Sequence, residues 1–117
     1  MPERDEQRRF PRIRTENPVH VRKIGDEGRE ECAKTSTLGL GGCMFIAAEP
    51  LGGEAIVDLL ISVRPKRVIE ARGRVVYEAP HETTPGVRAF EVGVEFLSIS
   101  EPDRLALQEL LEAPRPK

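Results

Sequence analysis

Between residues 8 and 14 the chain reads RRFPRIR, four guanidinium groups in seven positions. A guanidinium presents its N–H donors as a planar fork that grips phosphate oxygens two at a time, pairs with O6 and N7 of guanine and stacks on a base. Arg8, Arg9, Arg12 and Arg14 on a pliant leader therefore suit a phosphorylated purine ligand. Glu3, Asp5 and Glu6 lie beside them and allow a plainer reading, a solvated basic tail balanced by its acidic neighbours. The formal net charge of the whole chain is only −2. A general nucleic-acid binder shows a strongly basic face, so neither DNA nor RNA is expected as a partner, and any anion recognised is small and local.

The second stretch of interest is TLGLGGC, residues 37 to 43. Its glycines let backbone amides approach a phosphate, but a P-loop requires GK[ST] at its end, and here Gly42 is followed by Cys43 and Met44. The plain alternative is a tight hairpin turn that needs glycine for positive φ. Catalytic constellations are missing. Ser36 has no GxSxG context, His20 and His81 are far apart with no ligand-spaced companion, and the acidic residues fall on outward parities or in the leader. The sequence is not that of an enzyme. Cys32 and Cys43 have neither CxxC spacing nor a secretory setting and read as small core residues or half-buried thiols.

These groups must be positioned by one domain, since 117 residues suit a single core better than two. From Met1 to Arg14 no strand or helix period is present and Pro11 restricts Phe10, which reads as a flexible arm. The domain is expected over 15–113, with a frayed tail at 114–117. Six segments then read as strands: NPVHVRKI, REECAKTSTL with Cys32 inward, GGCMFIAAE, EAIVDLLISV, RVIEARGRVVYEA and AFEVGVEFL. In the fourth, Ala55, Val57, Leu59, Ile61 and Val63 share one face; in the fifth, Ile69, Ala71, Val75 and Tyr77 do; in the sixth, Phe90, Val92, Val94 and Phe96 do. Short turns between most of them suggest a meander or a small closed antiparallel barrel, because closure removes exposed edges.

Only the end reads as helix. Ser100 with Asp103 makes a capping-box-like start, and Leu107, Leu110 and Leu111 share a face that must pack on the barrel. The fold class is therefore all-β with one C-terminal α-helix. No stretch approaches the about 18 to 20 apolar residues of a membrane span, and MPERDEQRRF lacks the apolar middle of a signal peptide. A cytoplasmic location without membrane insertion is expected.

Taken in order, an RxxxR arm, a glycine turn some way downstream, six strands and the ending VGVEFLSISEPDRLALQELL closely resemble the PilZ domain family over nearly the whole chain. The resemblance implies a six-stranded antiparallel β-barrel with a C-terminal helix, in a family of which many members are bacterial receptors for cyclic di-GMP. Two motifs hold the nucleotide in that family, RxxxR in the arm and [DN]xSxxG at a barrel strand. The first maps onto Arg8 and Arg12, with Arg9 as the basic neighbour. Anchored on its last glycine, the second places Thr37 at the Asp/Asn position, Gly39 at the Ser position and Gly42 at the retained glycine. A register starting at Thr35 puts Thr37 at the serine position but Leu40 at the glycine. The resemblance thus implies cyclic di-GMP as ligand, bound by Arg8, Arg9, Arg12, Thr37, Gly39 and Gly42, with no other cofactor and with a signal relayed to an unidentified protein partner. The alternative is a PilZ-like adaptor, related to motility or pili, that has lost the ligand and acts by protein contact.

Overall fold

Alternation of apolar and polar side chains over six consecutive segments leaves a sheet with one dry face, and that face is buried by closing the sheet on itself. The structure, a computed structural model, describes residues 12–25, 29–63, 66–82, 85–86 and 88–112. Its strands are β1 (Arg12–Arg14), β2 (Pro18–Lys23), β3 (Glu30–Gly39), β4 (Gly42–Ala47), β5 (Ile56–Val63), β6 (Arg67–His81) and β7 (Ala89–Ile99), followed by helix α1 (Glu101–Glu112). Strands β2 to β7 form the closed antiparallel barrel of six that the sequence suggested, in the order β3-β2-β5-β6-β7-β4 with β4 returning to β3. A seventh strand, β1, lies outside that cycle and pairs with β3 alone among the described residues. Residues 12–14, expected in the arm, are paired with the barrel as β1, and the rest of the expected arm lies outside the described residues.

The inward faces of β5 and β7 are as the alternation predicts: Val57, Leu59, Ile61, Val92 and Val94 are buried, and Phe90 and Phe96 pack against them. Two expectations about facing are corrected. Cys32 is exposed, because its Cα partner is His20 on the outer parity of β2, whereas Cys43 lies in the core. Tyr77 is 49% exposed. The register between β6 and β7 slips between Val75 and Tyr77, so Val76 is an extra residue and every side chain beyond it changes face. The slip also aims the Glu78 carboxylate at the loop before β5, where it accepts from the amides of Leu51 (2.5 Å) and Gly52 (3.2 Å).

Helix α1 begins where the sequence places it, the amide of Asp103 donating to Ser100 Oγ at 3.3 Å. Asp103 also docks the helix on β6, accepting from the amide of Glu70 (3.1 Å) and from Arg67 Nη2 (3.0 Å). Twelve residues make too short a helix to persist alone in water. Leu107, fully buried in the barrel core with Leu110 and Leu111 packed beside it, supplies the tertiary stabilisation.

On the outer face Asp58 ties three strands together. Its carboxylate accepts from Arg72 Nε (2.8 Å) on β6 and from Arg22 Nη2 (2.9 Å) on β2. The Arg72 hydrogen bond holds the Asp58 carboxyl below the usual carboxylate value against an opposing desolvation, with Arg22 adding to the lowering. A lowered folded pKa stabilises above the unfolded value and is lost as pH falls through the folded one. We therefore expect Asp58→Asn to cost about 0.5 kcal/mol at pH 7, as a solvent-screened pair does. The variant and the wild type should converge in urea titrations once the pH is well below 3.8.

Candidate functional site

β3 is ten residues long and β2 occupies one of its edges only from Glu30 to Lys34. The same edge beyond that point would leave backbone groups unpaired, and β1 takes it: Arg12 stands opposite Gly39, Ile13 opposite Leu38 and Arg14 opposite Thr37. The link from β1 to β2 is fastened by Thr35, a buried polar residue that the sequence offered only as the start of the alternative motif register. Its hydroxyl hydrogen-bonds with that of Thr15 and accepts from the amide of Asn17 (3.0 Å), while its own amide donates to the Asn17 carbonyl (2.9 Å). Asn17 Nδ2 in turn donates to the Ser62 carbonyl at 3.0 Å, anchoring the link to β5.

The structure therefore brings the second arginine of RxxxR into register with the glycine-rich stretch. Arg8 and Arg9 lie outside the described residues. Thr37 sits where the ladder between β3 and β4 slips: Thr35 is opposite Phe45, Thr37 is opposite Met44, and Ser36 is extra. Thr35 and Thr37 consequently belong to opposite faces although only one residue separates them, and the Thr37 hydroxyl is buried with no hydrogen-bond partner among the described residues. Gly39 ends β3 and Gly42 opens β4. The expected reason for glycine in this turn is corrected, since the positive-φ glycines among the described residues are Gly25, Gly52 and Gly86. Gly42 is needed for close approach instead: a Cβ there would lie 2.1 Å from the Val94 carbonyl oxygen.

Consecutive Cα pairs extend the row beyond Thr37. Arg14, Thr37, Met44, Gly93 and Tyr77 stand side by side on β1, β3, β4, β7 and β6. Gly93 leaves a low spot between larger neighbours, since a Cβ on it would fall 3.1 Å from Tyr77 Cβ and 3.7 Å from Met44 Cγ. Sequence reasoning missed Tyr77 because the Val76 bulge that exposes it has no signature in the alternation. An open groove of about 680 Å³ borders the row, lined by Thr15, Glu16, Lys34, Thr35, Ser36 and Ile46. Among the described residues no cluster of His, Cys, Asp and Glu could hold a metal ion, and no helix is long and apolar enough to cross a membrane.

The model of the PilZ domain family matches residues 6–113, which include β1, the whole barrel and the helix. The chain belongs to the PilZ domain family. Domains of this family are non-catalytic. Solved structures share the fold at low identity. MotI/DgrA, the inhibitor of motility of Bacillus subtilis, is 17% identical with a TM-score of 0.68, over 92% of this chain and 53% of that one. The PilZ domain of YcgR from Escherichia coli, solved with c-di-GMP, is 16% identical with a TM-score of 0.72, over 89% and 88%. The MrkH–c-di-GMP complex from K. pneumonia is 18% identical with a TM-score of 0.66, over 90% and 51%. This PilZ chain thus spans about half the length of MotI/DgrA and MrkH. No curated protein matches it in sequence.

Proposed function

We propose that this PilZ domain is a bacterial receptor for cyclic di-GMP that passes the signal to a protein partner. Arg8, Arg9 and Arg12 act as the clamp for phosphates and guanine edges. The Thr37–Gly42 stretch forms the floor, and the exposed ring of Tyr77 at the end of the same row offers a face for a base. One observation carries the reading: β1 holds the backbone of Arg12 opposite Gly39 and that of Arg14 opposite Thr37, so arm and floor cannot be more than one strand spacing apart. Relatives solved with c-di-GMP, the PilZ domain of YcgR and MrkH, support it.

A second reading, an adaptor that no longer takes the nucleotide, is favoured by Gly39 and Thr37, which offer the guanine neither a serine hydroxyl nor a carboxylate. Titration calorimetry separates the two. A receptor gives measurable heat with cyclic di-GMP and a raised melting temperature, since a ligand at 100 times Kd adds about 2.7 kcal/mol to the folded state. We expect Arg8→Ala or Arg12→Ala to weaken binding at least about tenfold, as loss of a charge-assisted hydrogen bond does, and added salt to weaken it further. No heat and no thermal shift for the wild type would remove the receptor reading and leave the adaptor.

A further inference from the structure

Around the barrel from the row that holds Thr37 and Tyr77, the outer face of β3, β2, β5 and β6 carries a second pattern. Glu30, Arg22, Asp58 and Arg72 stand side by side on these four strands, each the Cα partner of the next. Their charges read minus, plus, minus, plus. One row along, Leu60 is the Cα partner of both His20 and Glu70 and is 39% exposed, and Val68 on β6, opposite Ser62, is 52% exposed. Ile24, just past the end of β2, is exposed as well. Leu60 and Val68 lie on one side of the charged row and Ile24 on the other, a mixture of apolar and charged side chains of the kind that protein interfaces show.

The order of the charges identifies the cover. A two-fold axis that lies between two facing sheets and runs parallel to their strands reverses a transverse row as it brings the second copy over the first, and it makes the contact isologous. The reverse of minus-plus-minus-plus is plus-minus-plus-minus, so this row is complementary to itself. Passing the axis between β2 and β5 sets Glu30 against the partner's Arg72 and Arg22 against the partner's Asp58. The same operation keeps each row over itself and carries Leu60 toward the partner's His20. A partner with an acidic or a basic docking surface would meet like charge at every second strand, which costs affinity.

We propose that this face is a two-fold interface between two copies of the chain. The proposal goes beyond nucleotide binding and stands on residues that take no part in it. Sedimentation of the full chain tests it over concentrations up to about 1 mM, the weak end of specific association. The wild type is expected to pass from monomer to dimer within that range, and Leu60→Arg to remain monomeric with an unchanged melting curve. Glu30→Arg and Arg72→Glu should each weaken dimerisation by about tenfold or more, because each sets like charges together twice in its own homodimer. Mixed in equal amounts, the two variants should recover a dimer within about threefold of the wild-type constant, since the mixed pair restores both contacts. A folding defect in either variant cannot produce that recovery. A wild type monomeric at every concentration, or variants that dimerise no better mixed than alone, would overturn the proposal.

Discussion

Replacing Gly42 by alanine is expected to cost about 3 kcal/mol or more, the upper end of what overpacking costs. For a domain of this size that lowers the melting temperature by roughly 10 °C or more. The nearest atoms to the new methyl would all be backbone of β7, the Val94 carbonyl oxygen at 2.1 Å and Glu95 Cα at 3.1 Å. β7 cannot step back to make room. Its register with β4 runs unbroken from Gly42–Glu95 to Ala47–Phe90, and the Phe96 amide donates to the Gly41 carbonyl at 2.8 Å. Gly93→Ala provides the contrast. There the nearest atoms are Tyr77 Cβ at 3.1 Å, which must give by a few tenths of an ångström with its strand, and Met44 Cγ at 3.7 Å, an ordinary contact, so the change costs about 1 kcal/mol, the low end of what overpacking costs. Urea denaturation of the two variants measures the difference. A Gly42→Ala protein within about 1 kcal/mol of wild type would show that the contact between β4 and β7 is not what fixes glycine at this position.

Packing of this kind is written into a sequence only where burial enforces a period. Strands β2 to β7 were legible because one face of each packs on a single core, so Val57, Leu59 and Ile61 or Val92 and Val94 keep strict alternation. Helix α1 was legible from Ser100, Asp103 and the leucine face for the same reason. The irregularities were not. An added residue at Val76 or Ser36 leaves the composition of its strand unchanged while reversing the face of every later residue in that strand, which is why Tyr77 was expected inward and is outward.

The candidate site suffers most from such reversals, because bulges collect where strands re-aim side chains. Thr35 and Thr37 look interchangeable in TST, yet one hydroxyl fastens the β1–β2 link and the other faces the opposite side without a partner among the described residues. Strand β1 is three residues of RIR, too few to show a period. Its place is decided by the free edge of β3, which only the pairing of β2 reveals. Cys32 was misplaced for a related reason: Glu30, Glu31 and Lys34 put charge on both parities of that strand, so alternation could not tell the faces apart. The arginine cluster itself needed no structure to be noticed, since its chemistry depends on residue type and not on facing.

Restoring the family's second motif should produce the largest change in binding. The double substitution Thr37→Asp with Gly39→Ser supplies a carboxylate and a hydroxyl at the two positions where the resemblance expects them. Each recovered hydrogen-bond partner to a buried ligand group contributes about 1 to 3 kcal/mol, or roughly tenfold to a hundredfold or more in affinity. Together they should tighten cyclic di-GMP binding by about 10² to 10⁴, read by calorimetry. The positions can take the change, because Thr37 already places there an oxygen unpartnered among the described residues and the neighbouring strand is the arginine-bearing β1, with Arg14 opposite Thr37 and Arg12 opposite Gly39. Adding Arg12→Ala to the double variant should abolish most of the gain, which ties the effect to the clamp and not to a general change in the barrel. A wild type without measurable heat and a double variant that binds would mean that the site is intact in shape and silent only for want of two side chains, and the adaptor reading then describes the natural chain. If the double variant melts like the wild type and still binds no tighter, the Thr37–Gly42 stretch is not the floor of a nucleotide site, and β1 lies against it for stability alone.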